Sequence, residues 1–170
     1  LDFALDLALS EDLETVFTAQ LLNSDTQAVA RLLNDPHSLV SLSDAGAHLT
    51  FFNDAGFGLH LLGHWARDIG AMSMTQAVHK LTAQPAKVLG LKSRGWIREG
   101  YAADLLLFDP KTVGRGPKHR VFDLPGGAAR LNTHALGVHG VWVNGQLVAD
   151  ANGLKELNTL SGQLLTEFNP

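Results

Sequence analysis

The chain has 170 residues, of which 45% are hydrophobic, and its formal net charge at neutral pH is −4. This length suits one sizeable hydrophobic core or two small ones, and the apolar content is that of a globular protein. A modest acidic balance argues against general nucleic-acid binding, so no nucleic-acid partner is expected. The absence of cysteine excludes disulfides and thiolate metal sites, and it fits a cytoplasmic location.

The longest apolar runs, such as Leu105–Phe108, are too short to cross a bilayer, so no membrane partner is expected. The first residues show no signal-peptide pattern. The chain also begins at Leu1 rather than at a methionine, as an excised segment of a longer protein would.

The first part of the chain is predicted to be helical and then extended. Residues 12–34 carry apolar stripes in two pieces, with Thr26 as the cap of the second and Pro36 as the stop. The alternation in Ser38–Ser43 predicts a strand whose end delivers Asp44 to a loop. That loop is rich in turn residues through Asn53–Gly56.

Three helices are predicted next. The first covers Leu59–Gly70, with one stripe facing the core (Leu59, Leu62, Ala66, Ile69) and a different stripe carrying His60, His64 and Arg67. Ser73 and Gln76 form an S-x-x-Q capping box for the second. Pro85 starts the third, which is short, and Gly90 ends it.

The pattern changes from helical to strand-like after Gly90. Tyr101–Phe108 predicts a strand, and residues 137–149 predict a hairpin with a type I′ turn at Asn144-Gly145. Between them, residues 110–135 predict a long loop rich in glycine and proline, and a connection of this length is usually functional or mobile. Residues 151–170 predict a weakly patterned tail.

Asp44 is the strongest candidate for a catalytic residue. It follows a predicted strand, and in a β/α barrel the carboxyl ends of the strands converge on the pocket. A carboxylate there can take a proton from a water and pass it to a leaving nitrogen. The alternative is an aspartate that only shapes a turn or caps a helix. His48, on the same loop, can orient Asp44, contact substrate or assist proton transfer, or it can simply bond to backbone.

The remaining polar residues give weaker signals. His60 and His64 have the i, i+4 spacing of a metal pair, but the Glu of H-E-x-x-H is absent, so an ordinary polar helix face is favoured. His64 with Trp65 can instead line the rim of a pocket. Asp104 is interpreted as structural, making hydrogen bonds at a turn or strand edge. No glycine pattern of a nucleotide-binding loop is present in the sequence.

Two stretches carry a family resemblance. Ser43-Asp44-Ala45 matches the S-D-A or S-D-G signature of amidohydrolases, and LTAQPAKVLGLKSRGWIREGYAADLLLFD at residues 81–109 resembles the passage from their barrel to their small β-domain. The text from Ser38 to Ala149 is similar to the branch containing N-acyl-D-amino-acid deacylases (D-aminoacylases). Members of that branch carry His-Pro-Arg after the aspartate, where this chain has Ala47-His48-Leu49.

The resemblance implies an α/β fold. Residues 1–90 would form the last part of a (β/α)8 barrel, residues 91–150 would supply strands of a small β-sandwich domain, and residues 151–170 would be a tail. A complete barrel needs about 250 residues, so this chain would be the C-terminal portion of a longer hydrolase.

The resemblance also implies a zinc-dependent hydrolase of a C–N bond in a small-molecule amide. Asp44 would be the general base and then the acid. His48, His64 and Arg67 are candidates for the active-site loop. The arginine of the His-Pro-Arg stretch, which would help hold a substrate carboxylate, is missing here, and Arg130 or Arg67 could take its place. The main zinc ligands would lie upstream, so the isolated chain is expected to hold no tightly bound metal and to be inactive.

Two other functions remain open from the sequence. The chain can be a non-catalytic interaction or oligomerisation domain that keeps amidohydrolase-like features, because half a barrel leaves apolar faces and strand edges unpaired. Self-association is expected on the same grounds. A binding module for small acids is the third possibility, and it rests only on the arginine-bearing loops.

Overall fold

The structure is a computed structural model that describes residues 1–17, 19–46 and 49–168. The chain divides into two compact units, Leu1–Leu32 and Leu33–Pro170. The helices are α1 (Asp2–Ser10), α2 (Thr26–Asn34), α3 (Phe57–His60), α4 (Met74–Leu81) and α5 (Ala83–Val88), and a π-helical segment, Leu61–Asp68, continues α3. Within the described ranges, no helix has both the length and the hydropathy needed to cross a membrane.

The first unit differs from its prediction at two points. Helix α1 was not predicted. The helix expected from residue 12 does not form in the described residues 12–17, where Asp12 and Leu13 take left-handed φ values of 53° and 65°. The predicted cap at Thr26 was also wrong. The Asp25 carboxylate accepts hydrogen bonds from the amides of Gln27 (2.9 Å) and Ala28 (3.0 Å), so Asp25 caps α2.

The helix predicted over residues 59–70 forms, but most of it is π-helical. The Ile69 amide donates to the His64 carbonyl five residues earlier, at 2.9 Å. This wider winding changes which side chains face inward. Leu61 is only 1% exposed, whereas Ile69, predicted to be in the core, is 41% exposed.

The two predicted helix signals that follow are confirmed. Ser73 and Gln76 form the reciprocal capping box at the start of α4. Gly90 ends α5 with a φ of 65°, and the Leu91 amide donates to the Ala86 carbonyl at 2.8 Å, as in a Schellman motif. Helix α5 begins at Ala83, slightly before the predicted start at Pro85.

The strands are β1 (Leu105–Phe108), β2 (Gly114–Arg115), β3 (His119–Val121), β4 (Arg130–Asn132), β5 (Ala135–Leu136), β6 (Val138–Val143), β7 (Gln146–Asp150) and β8 (Gly153–Leu154). An antiparallel sheet has the order β1-β6-β7-β8. The β6–β7 turn has φ values of 48° at Asn144 and 82° at Gly145, which confirms the predicted type I′ turn. Strand β1 is shorter at its start than the prediction from Tyr101.

Residues 110–135, predicted as a long loop, contain short paired strands. Strand β2 pairs with β5, and β3 pairs with β4, both antiparallel. These strands have only two or three residues each, which is too short for alternation to show in the sequence.

The strand predicted at Ser38–Ser43 was also wrong. A strand exists only where a neighbouring strand completes its hydrogen bonds, and no described strand pairs with these residues. Side chains hold the start of the segment instead. Lys80, only 8% exposed, donates from Nζ to the Asp35 carbonyl at 3.1 Å, and Gln84 donates to the Ser38 carbonyl at 3.0 Å.

The core of the second unit joins helical residues to a residue from the strand-rich region. Its buried members are Leu61, Leu62, Ala66, Met72, Ala77 and Val113. Two segments approach closely at Gly63, where an added Cβ would lie 2.5 Å from the Val113 carbonyl oxygen. This core therefore includes residues from both sides of the domain boundary predicted at residue 90, and that boundary stays a prediction.

We expect Gly63→Ala to destabilise the second unit. Alanine has a better helix propensity than glycine, which would add about 1 kcal/mol to the free energy of unfolding. Overpacking of a tight core, however, lowers the free energy of unfolding by about 1–3 kcal/mol. The clash is with backbone, which cannot rotate away, so the overpacking cost should lie at the upper end of this range and the net loss should be about 2 kcal/mol. Urea denaturation measures it. Gly162→Ala is the matched control, because no atom lies within 4 Å of its added Cβ. Equal stability of both variants would contradict the prediction.

Candidate active site

Asp44 lies exposed at the start of a turn. Its φ is 50°, in the left-handed region, which aspartate tolerates better than most residues. The Ser43 hydroxyl accepts a hydrogen bond from the Ala45 amide at 3.2 Å and shapes this turn. Among the described residues, Asp44 has no ion-pair partner. Its carboxylate is therefore presented to solvent rather than committed to a structural contact there.

The loop Leu49–Gly56, which follows Asp44 in the chain, is joined to strand β4 by backbone and side chain. The Leu131 amide donates to the Leu49 carbonyl at 2.8 Å, and the Asn53 side-chain amide donates to the Leu131 carbonyl at 2.9 Å. Asn53 is only 5% exposed, and its Oδ1 accepts from the Ala55 amide at 2.8 Å. We call this loop the distal loop.

Asp54 adds an electrostatic contact to the distal loop. Its Oδ1 lies 2.6 Å from Arg115 Nη1 and 3.0 Å from Lys118 Nζ. Lys118 also sits over the ring of Phe52, 5.3 Å from its centroid. Partial burial raises the pKa of Asp54, but hydrogen bonds from Lys118 and Arg115 lower it. The lowering effects are larger together, so the pKa of Asp54 lies below its ordinary value. Asp54 is thus favoured in its charged form.

His60 and His64 stack on one another rather than pointing at a common position. Their ring centroids are 4.6 Å apart with an interplanar angle of 13°, and the Trp65 ring meets His64 edge-on at 5.3 Å. Burial lowers the pKa of His60, and His64 and Arg115 lower it further. Imidazole lone pairs lie in the ring plane, so parallel rings do not converge on one ion.

The two arginines predicted to bind a substrate carboxylate differ in their availability. Arg67 donates to both Asp68 oxygens, at 2.7 and 3.1 Å, and its Nη1 donates to the Val113 carbonyl. Arg130, on β4, donates to Asp123 from Nε (2.6 Å) and Nη2 (2.7 Å). Its Nη1 has no hydrogen bond within the described part of the chain. Arg130 therefore retains a donor, whereas all three Arg67 nitrogens are engaged.

The structure places the predicted site residues in separate groups. His64 and Arg67 share the π-helical segment, and Arg130 lies on the strand that joins the distal loop. His48 lies outside the described residues, so its predicted role stays a prediction. Asp104 is confirmed as structural, since its Oδ1 accepts the Asn144 amide at the hairpin turn at 2.8 Å and Arg94 pairs with its other oxygen.

Sequence reasoning missed the ion-pair network of Asp54. Asn53–Gly56 was interpreted only as a turn, and Lys118 only as a member of a predicted loop. The partners are far apart along the chain, so no spacing rule connects them. Charged residues inside a turn-rich loop next to the Ser43-Asp44-Ala45 signature were the available signal.

Solved structures of deacylases resemble this one, and two of them are described here. A D-aminoacylase mutant in complex with copper chloride superposes with a TM-score of 0.63 and 28% identity, over 84% of this chain and 28% of that one. The N-acyl-D-glutamate deacylase from Bordetella bronchiseptica, complexed with zinc and a phosphonate inhibitor, gives a TM-score of 0.54 and 30% identity over 73% of this chain and 24% of that one.

The sequence comparisons agree. A D-aminoacylase from Alcaligenes xylosoxydans xylosoxydans is 41% identical over 85 residues, which are 50% of this chain and 16% of that relative. The chain thus matches less than a third of the length of the relatives named here. A sequence model of the amidohydrolase family matches residues 2–149. This chain belongs to the amidohydrolase family.

Proposed function

We propose that the complete protein hydrolyses the amide bond of an N-acyl-D-amino acid, and that this chain supplies its proton-transferring carboxylate, Asp44. The observation that carries the proposal is the Ser43-Asp44-Ala45 signature on an exposed turn, in a chain of this family. The names of two similar proteins, a D-aminoacylase and an N-acyl-D-glutamate deacylase, support the substrate class.

The chemistry assigned to Asp44 is a proton relay. Its carboxylate accepts a proton from the attacking water as the C–O bond forms at the amide carbonyl carbon. The same group then delivers that proton to the leaving nitrogen as the C–N bond breaks. One carboxylate can serve both steps because the first step leaves it protonated.

The proposed architecture follows the resemblance to the solved deacylases. Helices α3, α4 and α5 would belong to the end of the catalytic barrel, and the β1-β6-β7-β8 sheet would belong to the small β-domain. Similarity over 84% of this chain to a D-aminoacylase supports this assignment.

The described residues do not form a binding site for the metal of the proposed enzyme. Within residues 1–17, 19–46 and 49–168, no group of three or more His, Asp or Glu side chains could hold an ion. Two similar structures contain zinc or copper. We therefore propose that zinc would be held by residues of the complete protein outside this chain, and that the isolated chain is inactive.

Arg130 is the proposed contact for the substrate carboxylate. Arg67 already donates to Asp68 and to the carbonyl of the core residue Val113, so we assign it a structural role. Arg130 has an unused Nη1 within the described region, and its neighbour Leu131 bonds to the distal loop. A guanidinium suits this task because it binds carboxylates through directed donors.

In the complete protein, we expect Asp44→Asn to lower kcat by about 10²–10⁴-fold, because an amide cannot accept and return a proton as a carboxylate does. Steady-state kinetics on an N-acyl-D-amino acid measure the loss. Asp12→Asn is the matched control, since Asp12 is also exposed and has a similar φ of 53°. Near-normal turnover of Asp44→Asn would remove Asp44 from the catalytic role.

We expect Arg130→Ala to raise KM for an N-acyl-D-amino acid about tenfold or more, as hydrogen bonds to charged groups contribute about 1.5–3 kcal/mol. KM for the corresponding uncharged amino-acid amide should change little. Arg120→Ala, an exposed arginine on the neighbouring strand, is the control. Equal effects on the charged and uncharged substrates would contradict carboxylate recognition by Arg130.

We also expect the isolated chain to associate with copies of itself through apolar residues of the first unit. Leu21 and Leu22 are 84% and 81% exposed, whereas Leu62 of the second unit is buried in the core. Sedimentation over a wide concentration range tests this. A Leu21→Ser/Leu22→Ser variant should weaken association, and Ile97→Ser, at a 92% exposed site in the second unit, should not. A monomer at every concentration would refute it.

A further inference from the structure

We infer that Asp54 is a positioning residue for Asp44, and that its contacts with Arg115 and Lys118 hold the distal loop in the arrangement that proton transfer requires. This inference rests on the proposed function, because it assumes that Asp44 carries the proton. It assigns Asp54 no contact with substrate. The role is to fix the distal loop, residues 49–56, which follows Asp44 in the chain.

The first support is that the distal loop is fastened at both of its ends. The pair of hydrogen bonds through Leu131 fixes Leu49 and Asn53, and the Asp54 ion pairs fix the end near Gly56. The Asn53 side chain is buried with both its donor and its acceptor satisfied. No comparable contact is described for residues 44–46, so we infer that the placement of Asp44 depends on the segments before and after it.

The second support is a close approach that brings Arg115 to Asp54. Gly56 has a φ of 92°, and a Cβ added there would lie 3.1 Å from Cγ of Arg115. The arginine stem thus lies directly over the glycine backbone, and its guanidinium reaches Asp54. A glycine with a left-handed backbone is required at this point for the contact to form.

The third support comes from the charge balance. Asp54 is the carboxylate common to two cations that come from opposite ends of one short segment, Arg115 in β2 and Lys118 just before β3. Removing the carboxylate leaves two positive charges facing one another as well as an untethered loop. Partly exposed ion pairs add little to global stability, so the main consequence is local displacement of the loop.

A small displacement is enough to affect turnover. A shift of about 1 Å in a catalytic group can cost about 100-fold in rate, because the reacting atoms must be held in a near-attack arrangement. Loss of the ion pairs should therefore lower kcat more than it raises KM. A residue that mattered only for folding would reduce the amount of active protein without this selective effect.

The test uses the complete protein with Asp54→Asn, which keeps the side-chain volume and removes the charge. We expect kcat to fall about tenfold or more with KM changed less than twofold, following the sensitivity of catalysis to alignment. Asp54→Glu, which keeps the charge, should restore part of the rate. Hydrogen exchange of residues 49–56 should accelerate in Asp54→Asn, while α4 keeps its protection.

Asp150→Asn is the matched control, because Asp150 is also paired with a lysine, Lys155, but lies in the β7–β8 ladder. It should leave kcat and exchange in the distal loop unchanged. Lys118→Met is the second variant if Asp54→Asn does not fold, and it should show the same effects in weaker form.

The outcomes separate the inference from the proposed function. Faster exchange in the distal loop with normal kcat, or unchanged exchange, would overturn the positioning role. A wild-type protein without deacylase activity would overturn the proposed function and the catalytic part of this inference. The exchange measurement would still decide whether Asp54 holds the loop.

Discussion

The backbone contact between Gly63 and Val113 is the constraint on which the second unit depends. The absence of a side chain at Gly63 lets the π-helical segment meet the chain just after β1, and Arg67 reinforces the contact by donating to the Val113 carbonyl. Leu61, Leu62 and Val113 bury their side chains around this point. Helices and strands that are separate in sequence therefore share one core, and each loop between them is placed relative to that core.

The candidate site takes its form from this arrangement. Lys80 and Gln84, on helices of the second unit, hold the segment that leads to Asp44. Arg115 and Leu131, from the two small ladders, hold the loop that follows it. The exposed turn at Asp44 thus lies between two fixed segments. The described contacts before this turn are at Asp35 and Ser38, and those after it run from Leu49 to Asp54.

The distribution of exposed apolar residues agrees with a chain that forms part of a larger fold. Leu21, Leu22 and neighbouring apolar residues of the first unit are exposed to solvent. Burial of such side chains is the main driving force of folding, so their exposure here is unfavourable. The chain matches only a fraction of each similar deacylase. The apolar surface of the first unit is consistent with the same proposal.

Local sequence determined the features that depend on neighbouring residues. The capping box at Ser73, the Schellman end at Gly90 and the type I′ turn at Asn144 each follow from the preferences of a few adjacent residues, and the Ser43-Asp44-Ala45 signature indicated the family. Tertiary structure alone decided that Ser38–Ser43 is not paired as a strand, that Leu61 rather than Ile69 faces the core, and that Asp54 meets Arg115 and Lys118. The reason is physical: strand pairing, the winding of a π-helix and ion pairs between distant segments depend on partners that no local pattern specifies.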